Sequence, residues 1–116
     1  MDIGLDTFPY TGVTTTFEAI WMGVPVLTLK GNNFSSRCGE SININLKLEQ
    51  FIAKDKDDYI KKAINFTKEI DHIRNLRKSL RGDAKNSPLF KTKNFAIQFC
   101  NELKNLWLKK QNLSKL

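Results

Sequence analysis

A strand, a loop, a helix and a second strand follow one another within the first 30 residues, and this succession constrains the fold more than any other feature. Segment 2–6 alternates polar and apolar residues, as a short strand does. Segment 14–22 has apolar residues at helical spacing, and Gly23 with Pro25 behind it is typical of a helix end. Segment 26–29 is mostly apolar, as in a parallel strand covered on both faces. The succession therefore predicts a βαβ unit with a right-handed crossover.

Three adjacent threonines, Thr14, Thr15 and Thr16, stand where this helix begins, although β-branched hydroxyl residues are poor helix formers. The unpaired N–H groups of a helix start, its positive dipole end and threonine hydroxyls can together hold a phosphate. Glu18 lies one turn further along and suits sugar hydroxyls, as the acid of a dinucleotide-binding fold does on a ribose. Alternatively, the threonines only cap the helix and Glu18 forms a capping box with Thr15. The spacing alone leaves both interpretations open.

Predicted helices fill the chain after the second strand, except for a turn or short strand within 48–53. The residues predicted to cap or begin these four helices are Ser35 or Ser36, Asp55 or Asp57, Asp71, and Thr92. Apolar residues predicted to share one face are Phe17, Ile20 and Trp21 in the first helix, and Phe95, Phe99, Leu103, Leu106 and Trp107 in the last. The chain is thus predicted to be α/β, a partial Rossmann-like unit with a short parallel sheet and a helical C-terminal half.

The charge is unevenly distributed: residues 1–52 carry a net −2 and residues 53–116 a net +9. A basic half can bind anionic partners, but no aromatic residues alternate with the lysines for base stacking, so nucleic acid is not expected as a partner. No apolar run approaches the length of a membrane span, and no membrane partner is expected. Cys38 and Cys100 have no metal-like spacing, so we expect free thiols in the cytoplasm rather than a disulfide, and no metal.

The stretch LDTFPYTGVTTTFEAIWMGVPVLTLKGNNFSSRCGESI resembles the C-terminal catalytic lobe of the O-GlcNAc transferase and SPINDLY family of glycosyltransferases. The resemblance continues through QFIAKDKDDYIKKAINF, LRKSLR and SPLFKTKNFAIQFCNELKNLW, and so covers nearly the whole chain. It implies the GT-B architecture, in which two Rossmann-like lobes enclose a nucleotide sugar. Residues 1–52 would be the βαβ part that binds the nucleotide diphosphate, and residues 53–116 the helical C-terminal part of the same lobe.

Site residues follow from the resemblance position by position. Thr14 and Thr15 match the family's pair of phosphate-binding threonines, and Gly12 matches the glycine that lets the backbone approach the phosphate. Glu18 stands where the animal enzyme has the aspartate that binds the ribose hydroxyls. Val13 replaces the family's histidine and brings no side-chain donor. These substrate-binding residues are expected without any catalytic residue, metal or cofactor in this chain.

The function implied by the resemblance is transfer of GlcNAc from UDP-GlcNAc to serine or threonine of a protein acceptor, although a GDP-fucose branch exists in the family. The family's N-terminal lobe, its TPR repeats, the lysine that neutralises the leaving pyrophosphate and the segment that grips uracil lie outside this sequence. We therefore expect the chain alone not to catalyse transfer. The alternatives are a non-catalytic nucleotide-binding or subunit-docking remnant, and a basic helical module for anionic partners.

Two further interpretations depend on the resemblance. Arg37 matches an arginine of the family and is interpreted first as an ion-pair or capping residue, and second as a ligand contact. The apolar face of the last helix would cross onto the family's other lobe in a GT-B enzyme, whereas in isolation it would be a core face. His72 is interpreted as a surface residue rather than a catalytic base.

Overall fold

A parallel sheet of three short strands forms the centre of the computed structural model, which describes residues 1–113. In spatial order its strands are β1 (Gly4–Leu5), β2 (Val26–Leu29) and β3 (Ile52–Ala53). The helices of the described part are α1 (Thr14–Trp21), α2 (Phe34–Asn45), α3 (Lys56–Lys68), α4 (Ile70–Asn86) and α5 (Thr92–Leu113). The predicted α/β class, with a short parallel sheet and a helical second half, is confirmed. The last three residues of the predicted part 53–116 lie outside the described residues.

The central strand β2 pairs with each neighbour over only half of its length. Its first half pairs with β1, where Gly4 lies opposite Val26, and its second half pairs with β3, where Leu29 lies opposite Ala53. Because the three strands are parallel, their carboxyl ends meet at one edge of the sheet. The loops that lead into α1 and α2 leave from this edge, which is where open α/β sheets bind their ligands.

The hydrophobic core takes side chains from both halves of the chain. One buried cluster contains Ile20 of α1, Leu27 of β2, Ile73 of α4, and Phe51 from the turn before β3. Phe51, in a 3-10 turn before β3, stacks on Phe66 of α3 with 4.5 Å between ring centroids. Since large aromatic side chains dominate core energetics, this pair fixes α3 against the sheet.

Trp21 differs from its predicted place on the buried face of α1. Ile20 is buried and Phe17 is half-buried, but the Trp21 side chain is 37% exposed. Its ring packs against Phe90, with 5.4 Å between centroids, and the Arg81 guanidinium lies 4.6 Å from the ring centroid. The helical period places Trp21 at the rim of the core, where its indole supports a cation–π contact instead of filling the interior.

The start of α2 also differs from its prediction, because Asn33 is the N-cap rather than either serine. The Asn33 side chain accepts from the Ser36 N–H at 3.0 Å, and the Ser36 hydroxyl oxygen accepts from the Asn33 N–H at 3.1 Å. This is a capping box in which serine takes the place usually held by glutamate or glutamine. Of the two caps predicted for α3, Asp55 is the one observed: its side chain accepts from the Asp58 N–H at 2.8 Å.

Helix α5 extends away from the rest of the fold. Every residue from 91 to 112 is exposed, and the described chain reaches 61 Å along its longest axis. The five residues predicted to share one apolar face are 52–64% exposed: Phe95, Phe99, Leu103, Leu106 and Trp107. The interpretation of this face as part of the core is therefore wrong. Its apolar side chains have no cover among residues 1–113.

Candidate functional site

The candidate site is the loop between β1 and α1, together with the first turn of α1. Val13 is the N-cap residue of α1, and no side chain caps the helix start. The N–H groups of the first helical turn have no acceptor within the helix and carry the positive end of its dipole. The interpretation of Thr14 and Thr15 as helix caps is therefore wrong. Glu18 forms no capping box with Thr15 either.

The three threonines divide into two exposed and one buried. Thr14 and Thr15 are exposed, whereas Thr16 is buried and donates its hydroxyl to the Gly12 carbonyl oxygen at 3.0 Å. A Cβ atom at Gly12 would lie 2.6 Å from the Thr15 hydroxyl oxygen and 2.9 Å from that of Thr16. Only glycine leaves room for the loop to pass this close to the helix start. The predicted residues Gly12, Thr14 and Thr15 thus lie together.

Glu18 shares a helix face with the exposed threonines, because residues three and four positions apart in a helix are neighbours. Its side chain is exposed and makes no hydrogen bond or ion pair within residues 1–113. The carboxylate is therefore available as an acceptor one turn beyond Thr14 and Thr15.

Asp6 is a residue of this site that sequence reasoning missed. It directly follows β1, and its carboxylate accepts from the N–H groups of Thr7 and Gly12 and from the Thr28 hydroxyl. The carboxylate thus joins the loop to the middle strand of the sheet. One signal was present in the sequence: an acid placed at the carboxyl end of a predicted strand in an α/β unit.

Two cations near this edge, Lys30 and Arg37, are held by the buried carboxylate of Glu40. Lys30 Nζ lies 3.0 Å from Glu40 Oε1, and Arg37 Nε lies 2.7 Å from Glu40 Oε2. Burial raises the pKa of the Glu40 carboxyl, but the hydrogen bonds and charges of Arg37 and Lys30 outweigh burial and hold this pKa below its usual value. The interpretation of Arg37 as an ion-pair residue is confirmed.

An apolar groove of about 710 Å³ runs between the starts of α1, α2 and α5. Its walls include Val13, Phe17, Phe34, Leu89 and Phe95. Phe34 is the first residue of α2, and its side chain is 87% exposed. The helix starts at the carboxyl edge of the sheet therefore border an open apolar surface on the α5 side.

Other chemistry-bearing residues lie apart from this edge or take no part in it. His72 is exposed on α4, as predicted for a surface residue. Cys38 and Cys100 are free thiols. Within residues 1–113, no three His, Cys, Asp or Glu side chains come together as a metal ion would require.

Known proteins resemble this chain in sequence as well as in fold. The model of glycosyl transferase family 41 matches residues 1–99. The chain belongs to glycosyltransferase family 41. It is 36% identical to a protein of Arabidopsis thaliana named probable UDP-N-acetylglucosamine–peptide N-acetylglucosaminyltransferase SPINDLY, over 94% of this chain and 12% of that protein. The tomato (Solanum lycopersicum) protein of the same name is 37% identical over 92% of this chain and 12% of that protein.

A solved structure of this family superposes on most of the chain. A mutant O-GlcNAc transferase of Thermobaculum terrenum matches with a TM-score of 0.83 and 30% identity, over 92% of this chain and 21% of that one. The resemblance to the C-terminal catalytic lobe is thereby confirmed. The family 41 chain described here spans about an eighth of its curated relatives' length and about a fifth of that structure's.

Proposed function

We propose that this chain is the part of a protein O-glycosyltransferase that binds the diphosphate and ribose of its donor, UDP-GlcNAc. The acceptor would be a serine or threonine hydroxyl of a protein. The names of the family 41 relatives support the donor and the peptide acceptor. One observation carries the site: the uncapped start of α1 presents Thr14 and Thr15, with an unengaged Glu18 one turn further along.

The proposed transfer requires stabilisation of the negative charge that develops on the leaving diphosphate. In the transfer, the acceptor oxygen bonds to the anomeric carbon, the bond between that carbon and the diphosphate oxygen breaks, and UDP leaves with the charge. The N–H groups of α1 and the hydroxyls of Thr14 and Thr15 would donate to that charge as it develops. Glu18 would accept from the ribose hydroxyls. Groups that hold the acceptor and take its proton would come from the rest of the enzyme, so this chain alone would not catalyse transfer.

The test is a titration with UDP, by calorimetry or NMR, of the chain and of a chimera. In the chimera, the chain replaces the matching segment of the Thermobaculum terrenum transferase. Thr15→Val keeps the shape and removes the hydroxyl. A hydrogen bond to a charged group is worth about 1.5–3 kcal/mol, so UDP should bind about ten- to a hundredfold more weakly. Thr92→Val, at the start of α5, is the matched control and should leave UDP affinity unchanged.

The variant Glu18→Gln distinguishes the contribution of the ribose contact from that of the phosphate contacts. It should weaken the binding of UDP but not that of inorganic pyrophosphate, because only UDP carries a ribose. Glu49→Gln is the control for loss of one exposed negative charge. If Thr15→Val and Glu18→Gln both bind UDP as the parent does, the proposed site is wrong.

The exposed face of α5 favours a second candidate function, a subunit-docking module without catalysis. Because its apolar side chains lie uncovered among residues 1–113, a partner surface must meet them in either case. In the transferase interpretation, that surface belongs to the rest of the catalytic domain. A chimera that transfers GlcNAc to a peptide supports the transferase. A chimera that folds and binds UDP but transfers nothing supports the docking or nucleotide-binding remnant.

A further inference from the structure

The Asp6 carboxylate has a hydrogen-bond donor on each of its oxygens. Oδ1 accepts from the Thr7 N–H at 3.0 Å and from the Gly12 N–H at 2.8 Å. Oδ2 accepts from the hydroxyl of Thr28 in β2 at 3.0 Å. The main-chain oxygen of Asp6 accepts from the Tyr59 hydroxyl of α3 at 2.8 Å. One residue therefore ties the loop, the middle strand and α3 together at the carboxyl edge of the sheet.

Two glycines leave the space that this carboxylate occupies. A Cβ atom at Gly39 of α2 would lie 2.8 Å from Asp6 Oδ2, and one at Gly12 would lie 3.4 Å from Asp6 Oδ1. The first contact is closer than any real Cβ atom tolerates. The carboxylate thus sits between the loop and α2, with no room for a larger neighbour on the α2 side.

The path from Asp6 to the exposed threonines is short. Asp6 fixes the N–H of Gly12, and the carbonyl of Gly12 accepts from the Thr16 hydroxyl in the first turn of α1. Because the Gly12 N–H is engaged by Asp6, the donors left for a ligand are those that follow it, in the helix start with Thr14 and Thr15. Both groups of Gly12 are thereby set before any ligand arrives.

We propose that Asp6 is the positioning residue of the diphosphate site. It holds Gly12 so that the first turn of α1 presents its N–H groups and the hydroxyls of Thr14 and Thr15 at a fixed place. Preorganised donors of this kind stabilise charge without reorganising, which is why misplacing them weakens binding. This inference rests on the proposed function, since it assumes that the helix start binds a diphosphate.

The experiment compares geometry with charge at one position. Asp6→Asn keeps an acceptor for the Thr7 and Gly12 N–H groups, and the Thr28 hydroxyl can rotate to accept from its amide. Asp6→Glu keeps the charge but moves the carboxylate by one methylene. We expect Asp6→Asn to bind UDP within about threefold of the parent, and Asp6→Glu and Asp6→Ala to bind it at least about tenfold more weakly.

Uridine is the second probe, in the same chain and chimera. It lacks phosphate, so its affinity should be unchanged in every Asp6 variant that folds. In the chimera, the KM for UDP-GlcNAc should rise with the UDP dissociation constant. Thr28→Val is the structural control, because it removes the partner of Asp6 Oδ2 and leaves the hydrogen bond from the Gly12 N–H to Oδ1. It should lower the stability of the fold with little effect on UDP affinity.

The outcomes separate this inference from the proposed function. If Asp6→Ala and Asp6→Glu fold and bind UDP like the parent while Thr15→Val does not, the positioning role is wrong and the site stands. Equal loss of UDP and uridine, or failure of all three Asp6 variants to fold, shows that Asp6 is structural only. If Thr15→Val and Glu18→Gln also leave UDP binding unchanged, both the positioning role of Asp6 and the proposed function are wrong.

Discussion

Gly39→Ala should destabilise the fold although alanine is the better helix former. Gly39 lies inside α2 and is buried against β2. A Cβ atom there would collide with the Thr28 hydroxyl oxygen, and would lie 2.9 Å from Thr28 Cβ and 2.8 Å from Asp6 Oδ2. Helix propensity alone favours alanine by about 1 kcal/mol. Overpacking typically costs about 1–3 kcal/mol, and loss of the Thr28–Asp6 hydrogen bond about 1.5–3 kcal/mol more.

The net effect of Gly39→Ala is thus a loss of about 1.5–5 kcal/mol in the free energy of unfolding. Gly82→Ala is the matched control, because Gly82 lies inside α4 and a Cβ atom there meets nothing within 4 Å. That change should gain about 0.5–1 kcal/mol. Urea unfolding followed by circular dichroism gives both values. The steric argument is refuted if Gly39→Ala is as stable as the parent, or if the two glycine variants shift stability in the same direction.

Three further perturbations test other parts of the fold. Because the pKa of Glu40 in the folded protein is below its unfolded value, the ionised carboxylate stabilises the fold above pH 4.5, and this stabilisation is lost as the pH falls through the folded pKa. Glu40→Gln should therefore make the melting temperature fall less steeply in acid. A melting temperature that falls in acid as steeply as that of the parent would contradict this. Phe51→Ala should cost about 3–5 kcal/mol in urea unfolding, since its ring is fully buried against Phe66; a loss below about 1 kcal/mol would show a core that collapses around the gap. The exposed face of α5 and the two edge strands should make the purified chain self-associate, and Phe99→Ser should reduce this in sedimentation without lowering stability; a monomeric parent would contradict the argument.

Local signals in the sequence predicted much of the fold. The short strand, the helix that ends just before Gly23 and the apolar run of β2 are each encoded within a few residues. Asp55, one of the two predicted candidates, caps α3, because a cap depends only on its own helix. The threonines of α1 could be placed at the carboxyl edge for the same reason, since strand and helix are adjacent in sequence.

Interactions between distant residues account for what the sequence could not predict. The Asp6 carboxylate meets Thr28, and its carbonyl meets Tyr59, across 22 and 53 positions of chain. No periodicity in the sequence encodes such contacts. The apolar face of α5 shows a second limit: helical spacing reveals that a face is apolar, but it does not reveal what covers that face. The choice between Asn33 and the two serines as the cap of α2 depended on loop geometry that composition does not specify.

The shared core has a consequence for how this segment can be inherited. Ile20 and Leu27 from the first 52 residues are buried in the same cluster as Ile73 and Leu80 from α4. A recombination event that broke the gene near residue 52 would leave two products, each with half of an interior. A break just before Thr92 would leave Leu89 and Phe90 on the core and separate only α5, whose side chains are exposed over 92–112. We therefore expect exchange between related genes to be tolerated at the start of the last helix, with residues 1–91 inherited as one unit.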